Sequence, residues 1–350
     1  MIRFVIRRMI GGVVLILALT FAAFFVANAI PQNKACIVMV CTSLTTREQM
    51  DETLHDTGLD RPVWVQYGTY IKRTITEQSF GSSWSGMALD PTIKDALPAT
   101  VSLVAGGMLL TLLLALPLGA LAASRPRSLV DRSLLTTSIV GLAVHPFVLG
   151  IGLASFFHLL GAPRANYCAL TKHGLAVPPT FPGQSFGPSS VTQCGGAGDW
   201  AAHLAIPWLV FALFFIPIYL RMIRTRFVQV LGEQYIQTAR AKGASETRVL
   251  TTHALRNALT PVLPMVALDA GTAITASIYV ETIFGLPGLG HLAVMGLSGE
   301  FFGGHYDLPF IVAIVMTIGF FVVILSTAAD IATALLDPRV RQRTLARVAT

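Results

Sequence analysis

Residues 233–257 read EQYIQTARAKGASETRVLTTHALRN and form a polar stretch between two apolar ones. Gly243 can adopt a positive φ without a steric penalty from a Cβ atom, which predicts the end of a first short helix. Ser245 is the predicted N-cap of a second helix, and Glu246 lies near the positive end of that helix. Residence in a bilayer does not require such a segment. We therefore expect residues 233–257, the docking segment, to bind another protein.

The composition around this segment is that of a membrane protein. Of the 350 residues, 53% are hydrophobic and 12% are charged, whereas a soluble domain carries about 25% charged residues. A hydrocarbon core of about 30 Å requires about 20 apolar residues in a helix. The chain is therefore predicted to be an all-α integral membrane protein with six transmembrane helices, at residues 9–30, 98–123, 134–160, 204–220, 261–284 and 309–336. Kinks are expected at Pro117, Pro146 and Pro217.

The distribution of Lys and Arg predicts the orientation of the chain. Of 25 such residues, 17 lie in the two termini, residues 124–133 and residues 221–260, and the other 8 lie on the opposite side. Positive residues are enriched on the cytoplasmic side of membrane proteins. Both termini and the docking segment are therefore predicted to be cytoplasmic. The net charge of +7 follows from this topology, and we expect no nucleic-acid partner.

Three regions follow from the predicted spans. Residues 1–30 contain the N-terminal tail and the first transmembrane helix. The start of this region resembles a signal peptide, but its apolar run exceeds the usual length of about 7–15 residues, so we expect an uncleaved helix. Residues 31–97 form an extracytoplasmic loop with short helices, and residues 98–350 form the core with five transmembrane helices. Within the core, the extracytoplasmic loop 161–203 is expected to be largely irregular.

Two short helices are expected in the first extracytoplasmic loop. Residues 46–59 have the pattern of an amphipathic helix, ending near Gly58. Residues 62–75 carry an apolar stripe with a spacing of three to four residues. This second helix is expected to lie on the membrane surface or to cap the extracytoplasmic mouth. The stripe consists of Val63, Trp64, Tyr67, Tyr70 and Ile71.

All four cysteines, Cys36, Cys41, Cys168 and Cys194, lie on the predicted extracytoplasmic side. This partition indicates an oxidising compartment and one or two disulfides. Four cysteines allow three pairings, among which the sequence does not choose. The simplest arrangement pairs Cys168 with Cys194 and Cys36 with Cys41. Because no histidine stands at ligand spacing beside them, we expect no metal site.

Five motifs occur in order along the chain. They are GLDRPVWVQY at 58–67, FGSS at 80–83, YIQTARAKG at 235–243 followed by LRNALTP at 255–261, ETIFGLPGLG at 281–290 and DPRVR at 337–341. Together they resemble the motifs of the permease subunits of binding-protein-dependent ABC importers, in the dipeptide/oligopeptide/nickel family. The resemblance covers nearly the whole chain except residues 161–200. It implies the architecture of a type I ABC importer permease and a multi-pass location in the bacterial plasma (inner) membrane.

In this family the docking segment is the EAA loop, which couples the permease to its ATPase. By resemblance, Gln237, Thr238 and Ala239 occupy the Glu-Ala-Ala positions, and Gly243 is the motif glycine. Because residue 237 is Gln rather than Glu, no salt bridge is expected there. A simpler alternative is a basic loop lying on lipid headgroups. The predicted coupling residues are Gln237, Thr238, Ala239, Gly243, Ala244, Leu255 and Arg256.

The resemblance also implies the partners of the chain. These are a second, related permease subunit in a heterodimer, two cytoplasmic ABC ATPase subunits or a fused pair, an extracytoplasmic substrate-binding protein and membrane lipid. The chain has no G-x-x-x-x-G-K-[ST] motif, so no cofactor is expected on it, and ATP and Mg are used by the ATPase partners. Peptides are the expected substrate; nickel chelates, glutathione or another small solute are the alternatives.

Two other classes of function are disfavoured. A membrane enzyme would need catalytic residues, but neither H-E-x-x-H nor G-x-S-x-G occurs, and no catalytic residue is predicted. A channel or secondary transporter would leave the docking segment unexplained, and inverted repeats are not evident.

A polar stripe in the fifth predicted span is the candidate translocation path. Asp269, Thr272, Thr275 and Tyr279 fall within about 120° of arc on a helix, and ionisable groups inside spans are costly and often functional. The alternative for Asp269 is an internal hydrogen bond to a neighbouring span. Outside the stripe, His145 is expected to face a partner helix. Glu281 is expected either to meet the docked binding protein or to be solvated and structural.

Overall fold

The computed structural model describes residues 2–29, 45–84, 86–159, 196–260, 262–298 and 306–336, and these residues are almost entirely helical. Two regions of interest, the four cysteines and the 337–341 motif, lie outside the described residues, so the disulfides remain a prediction. The helices are α1 (Ile2–Ala29), α2 (Arg47–Asp56), α3 (Val63–Glu77), α4 (Leu89–Ser124), α5 (Leu129–Ala143), α6 (Pro146–Leu159), α7 (Ala197–Leu231), α8 (Gln234–Ala241), α9 (Glu246–Arg248), a π-helical turn (Val249–Ala254), α10 (Leu255–Ala258), α11 (Val262–Leu268), α12 (Ala270–Phe284), α13 (Leu289–Ser298) and α14 (Leu308–Leu336).

Among the described residues, four helices are long and apolar enough to cross a membrane without a break: α1, α4, α7 and α14. Two bent pairs bring the total to six if each pair is one span. The pair α5 and α6 is bent by 105°, and the pair α12 and α13 by 72°. The prediction of an all-α membrane protein is therefore confirmed, and the predicted number of six spans is reached if each bent pair is one span.

Two of the predicted spans are not straight helices. The third breaks at His145, just before Pro146, as expected for a residue that has no backbone N–H to continue the helix. The fifth divides at Asp269 into α11 and α12, where ψ is −4°. By contrast, α4 and α7 continue through Pro117 and Pro217. Proline thus breaks a helix here at only one of the three positions expected to be kinked.

The centre of the bundle is the contact between α4 and α7. Gly106 and Gly107 lie directly against the rings of Trp208 and Phe211. A Cβ atom on Gly106 would come within 2.1 Å of the Trp208 ring, so only glycine permits this approach of the two helices. The indole N–H of Trp208 also donates to the carbonyl of Ser102 at 3.0 Å.

Helices α1 and α14 pack against each other, and α3 covers one end of this pair. The Tyr67 hydroxyl lies 2.8 Å from that of Thr20 and donates to the carbonyl of Leu17 at 2.9 Å. Most of the predicted apolar stripe packs here, but Trp64 does not, since 70% of its surface is exposed. The packed members are Val63, Tyr67, Tyr70 and Ile71, which contact Phe24, Leu308 and Val312.

Helix α2 is an exposed helix that begins at a capping box. The Thr46 side chain accepts from the N–H of Gln49, and the Gln49 side chain accepts from the N–H of Thr46. None of its residues is buried. Gly58 follows with a φ of 67°, as expected where the chain turns away.

The end of the bundle that carries the docking segment is called the docking end. At the opposite end, Glu281 joins α12 to α13. Its Oε2 atom accepts from the N–H groups of Gly290 at 2.7 Å and His291 at 3.0 Å. A Cβ atom on Gly288 would overlap this carboxylate, at 2.3 Å. Glu281 is fully buried, so it is neither solvated nor open to a docked protein, and only the expected structural role is correct. The carboxylate is instead needed to cap a buried helix.

A second buried acid, Asp307, has a similar role at the start of α14. One carboxylate oxygen accepts from the N–H of Phe310 at 3.0 Å, and the other accepts from the N–H of Trp84 at 2.8 Å. Asp307 therefore caps α14 and fixes the 80–83 turn on it.

We expect Glu281→Ala to lower the thermal stability of the protein in detergent, because two N–H groups of a buried helix end lose their acceptor. The expected loss is about 2–4 kcal/mol. Thr282→Ala is the matched control, since its hydroxyl bonds only within its own helix, to Ile278 at 2.7 Å. Equal melting temperatures of the two variants would contradict the capping role.

Candidate functional site

The docking segment is anchored by a fully buried inner face. Its buried side chains belong to the same core as the adjoining end of α7. This shared core holds the segment to the end of a spanning helix. The buried residues of the segment are Ile236, Val249 and Ala254, Ala258 follows directly after it, and the α7 residues in the same core include Ile223 and Phe227.

The turn between the two halves of the segment has the predicted geometry. Gly243 has a φ of 84°, and its N–H donates to the carbonyl of Arg240 at 2.9 Å. Ser245 caps α9 by accepting from the N–H of Arg248 at 3.4 Å. An exposed ion pair spans the turn, with Arg240 Nε 2.7 Å from Glu246 Oε1. The predictions for Gly243 and Ser245 are confirmed.

The second half of the segment contains a π-helical turn, Val249–Ala254, which the sequence analysis missed. Such turns insert a residue into the helix and are frequent at functional sites. The local signal is the set of β-branched residues Val249, Thr251 and Thr252, whose side chains weaken the preference for an α-helix. Beyond the turn, Asn257 donates to the hydroxyl of Tyr235 at 2.7 Å. This bond ties α10 back to α8.

The predicted coupling residues lie together on this one element. Four of them are exposed, namely Gln237, Thr238, Gly243 and Arg256, while the other three are half-buried. The segment therefore has a packed inner face and an exposed polar outer face. The half-buried members are Ala239, Ala244 and Leu255.

The polar stripe of Asp269, Thr272, Thr275 and Tyr279 lies at the α11–α12 junction and along α12. Asp269 is half-buried, and its Oδ2 accepts from the hydroxyl of Tyr219 on α7 at 2.9 Å. The expected internal bond to a neighbouring span is therefore present. Thr272 and Thr275 are exposed on the same helix. The stripe therefore begins at Asp269, whose carboxylate is hydrogen-bonded to α7, and continues along α12 through the exposed Thr272 and Thr275.

His145 extends this surface at the break between α5 and α6. Its ring lies 5.3 Å from that of Tyr279 and nearly perpendicular to it, so the expected contact with another helix is present. Phe147 approaches the same tyrosine ring at 6.4 Å. Helical spacing within one span does not include His145 in the stripe, because its contact with Tyr279 joins residues far apart in the chain.

A cleft of about 480 Å³ on α7 was also missed. It runs from the middle of the bundle towards the docking end and combines an apolar part with two guanidinium groups. Its lining consists of Leu142, Ile218, Arg221, Met222, Thr225, Arg226 and Gln229. Within the described part of the chain, no group of three or more His, Cys, Asp or Glu side chains could hold a metal ion.

Comparison with known proteins decides the family. Residues 115–342 match the family described as binding-protein-dependent transport system inner membrane component, and residues 1–104 match the N-terminal region of such components. The chain belongs to this family. It is therefore a multi-pass permease subunit of a binding-protein-dependent ABC transporter in the inner membrane, and family members are transport subunits rather than enzymes.

Several curated relatives are similar over almost their whole length. The oligopeptide transport system permease protein AppB of Bacillus subtilis is 32% identical over 344 residues, which cover 97% of this chain and 99% of that protein. The oligopeptide transport system permease protein OppB of Mycobacterium bovis is 28% identical, with the same coverage. A probable peptide ABC transporter permease protein of Sinorhizobium fredii, y4tP, is also 28% identical, again over 97% and 99%.

We expect Ile236→Ala to loosen the docking segment. Removing a fully buried side chain leaves a cavity in the core shared with α7, at a cost of about 2–4 kcal/mol. Trypsin should then cleave after Arg240 or Lys242 faster than in the unaltered chain. Gln237→Ala, at the exposed neighbouring position, should be cleaved at the original rate. Equal cleavage of both variants would show that Ile236 does not anchor the segment.

Proposed function

We propose that this permease subunit forms half of a translocation path for peptides that an extracytoplasmic binding protein delivers. Two cytoplasmic ABC ATPases, or a fused pair, bind ATP and Mg and drive the cycle by moving the docking segment. A related permease subunit supplies the other half of the path. The peptide substrate is supported by the relatives named for peptide or oligopeptide transport.

The observation that carries this proposal is the two-sided docking segment. Its inner face shares a core with α7, while its outer face exposes Gln237, Thr238 and Arg256. A loop that only rested on lipid headgroups would not need a fully buried Ile236 or a turn fixed by Gly243. An element that is rigidly joined to a spanning helix can transmit a displacement to it, because packed cores do not deform continuously.

The proposed topology places both termini and the docking segment in the cytoplasm, as the distribution of Lys and Arg predicts. ATPases are cytoplasmic, so this orientation is the one in which they can reach the segment. The coupling residues then contact the ATPases, and the stripe from Asp269 to Tyr279 faces the path.

We expect Gly243→Pro to uncouple the complex. Proline requires a φ of about −65°, whereas Gly243 has a φ of 84° and donates its N–H to Arg240. ATPase activity stimulated by the loaded binding protein should fall by about tenfold or more, which corresponds to about 1.4 kcal/mol in activation free energy. The measurement is ATP hydrolysis by the purified complex in proteoliposomes.

Gly232→Ala is the control for this experiment. Gly232 lies just before the docking segment with a φ of −83°, which alanine adopts readily, so stimulation should be unchanged. If Gly243→Pro left both assembly and stimulated hydrolysis intact, the docking segment would not be the coupling element.

Asp269 provides a test of the path and of its substrate. A carboxylate in the path suits the amino group of a peptide, so Asp269→Asn should impair transport of some peptides more than others while the complex assembles normally. Tyr219→Phe removes the hydroxyl that bonds Asp269 but keeps the carboxylate. It should therefore leave the order of substrate preference unchanged.

Two results would contradict the path assignment and the peptide assignment. If Asp269→Asn and Tyr219→Phe reduce all substrates and protein yield alike, the Tyr219–Asp269 bond is structural and the stripe is not the path. Affinity measurements on the cognate binding protein with peptides, nickel chelates and glutathione decide the substrate class. Tight binding of a non-peptide alone would overturn the peptide assignment.

A further inference from the structure

A buried ion pair joins α5 to α7 near the docking end. The Asp131 carboxylate accepts from Arg224 twice, from Nε at 3.0 Å and from Nη2 at 2.7 Å. Two parallel bonds between planar groups fix relative orientation as well as distance. The Asp131 side chain is 3% exposed and that of Arg224 is 22% exposed, so solvent screens the pair only weakly.

The same carboxylate fixes the start of α5. Its Oδ2 atom accepts from the N–H of Arg127 at 2.8 Å, and Arg127 has a positive φ of 65°. The N–H of Asp131 in turn donates to the hydroxyl of Ser128 at 3.2 Å. The connection between α4 and α5 is therefore held in place by a side chain that also binds α7.

On α7, Arg224 lies beside residues that pack with the docking segment. Ile223 and Phe227 share a core with Ile236 and Val249. Arg224 is also adjacent to α4, since a Cβ atom on Gly119 would lie 3.3 Å from the Arg224 nitrogen. When the docking segment is displaced, this end of α7 is therefore expected to move with it, together with the Asp131–Arg224 ion pair.

At its other end, α5 reaches the polar stripe. The break after α5 brings His145 to within 5.3 Å of Tyr279, measured between ring centroids. In α6, a Cβ atom on Gly150 would meet Ile283 of α12 at 2.5 Å, so these helices are in close contact. A continuous chain of packed and bonded groups thus runs from the docking segment to the stripe, and Asp131–Arg224 is its polar link.

We infer that the Asp131–Arg224 pair is a positioning contact that transmits displacement of the docking segment from α7 to α5, and through α5 to the polar stripe. Neither residue contacts substrate or nucleotide; each acts through the helix that carries it. The inference rests on the proposed function, because it assumes that the docking segment is moved by ATPases and that the stripe responds.

The test measures movement at the stripe rather than stability. Thr275, which is exposed on α12, is changed to cysteine in the complete complex with its ATPases in proteoliposomes. The rate at which a methanethiosulfonate reagent modifies this cysteine is compared with and without ATP and vanadate. The same complex with Thr275 unchanged reports the reaction of the native cysteines. With the native ion pair, we expect the nucleotide to change the rate by about tenfold.

Three variants then break the pair in different ways. Asp131→Asn removes one charge, Arg224→Lys keeps the charge but loses the paired geometry, and Asp131→Asn combined with Arg224→Gln removes both charges. Each should reduce the nucleotide-dependent change to about twofold or less, while the ATPases still co-purify. The double variant should be no worse than Asp131→Asn, because both single losses act on one contact.

Asp199→Asn is the matched control. It disrupts the exposed Asp199–His203 contact, 3.5 Å long, near the other end of α7, and it should retain the full change in rate. A full nucleotide-dependent change in Asp131→Asn would overturn the inference. If the complex with Asp131→Asn does not assemble, the modification rate is measured in Arg224→Lys instead, and a full nucleotide-dependent change there would overturn the inference.

The outcome also separates this inference from the proposed function. If Gly243→Pro abolishes stimulated hydrolysis but the rate at Thr275→Cys never depends on nucleotide, the transmission route is wrong and ATPase coupling through the docking segment stands. If neither measurement responds, both are wrong.

Discussion

The structure depends on one constraint: a helix that ends inside an apolar bundle must have its free N–H groups bound by another protein group. Two acids meet this requirement: Glu281 accepts from the start of α13, and Asp307 accepts from the start of α14 and from the N–H of Trp84 after the 80–83 turn. A third acid, Asp131, accepts from the exposed connection that leads into α5. Asp307 also binds Trp84, and Asp131 also binds Arg224 on α7. Each of these two carboxylates therefore accepts from backbone N–H groups at the start of a helix and also holds a second part of the chain in place.

The apolar bundle also carries the polar docking segment. This segment is short and its outer face is hydrophilic, so its own hydrogen bonds would not hold it in place. The buried face formed by Ile236, Val249 and Ala254 attaches it to α7. Exposure of the opposite face leaves Gln237 and Thr238 accessible to a partner. Anchoring and accessibility are thus divided between the two faces of one segment.

Sequence reasoning succeeded where a property is local. The spans follow from hydropathy, the turn at Gly243 follows from the conformational freedom of glycine, and the break before α6 follows from Pro146. It failed where the answer depends on what lies across the bundle. Trp64 has the spacing of its buried neighbours but faces outward, and Glu281 lies beside a Gly- and Pro-rich turn but is fully buried. Helical spacing shows which residues share one face of a helix, but it does not show how much of that face a neighbouring helix covers.

The amino-acid sequence by itself determined that the chain is helical, spans a membrane several times, and carries a polar element suited to a partner. Composition, apolar run length and turn residues act over a few residues, so they can be evaluated without the fold. Only the tertiary structure decided which polar groups are bound to one another. Asp131 meets Arg224 across 93 positions, Thr100 meets Leu289 across 189, and Trp84 meets Asp307 across 223. Such contacts arise because α5 packs against α7, and α4 packs against α13 and α14, which brings together residues that are distant in the chain. No local sequence pattern encodes these pairings.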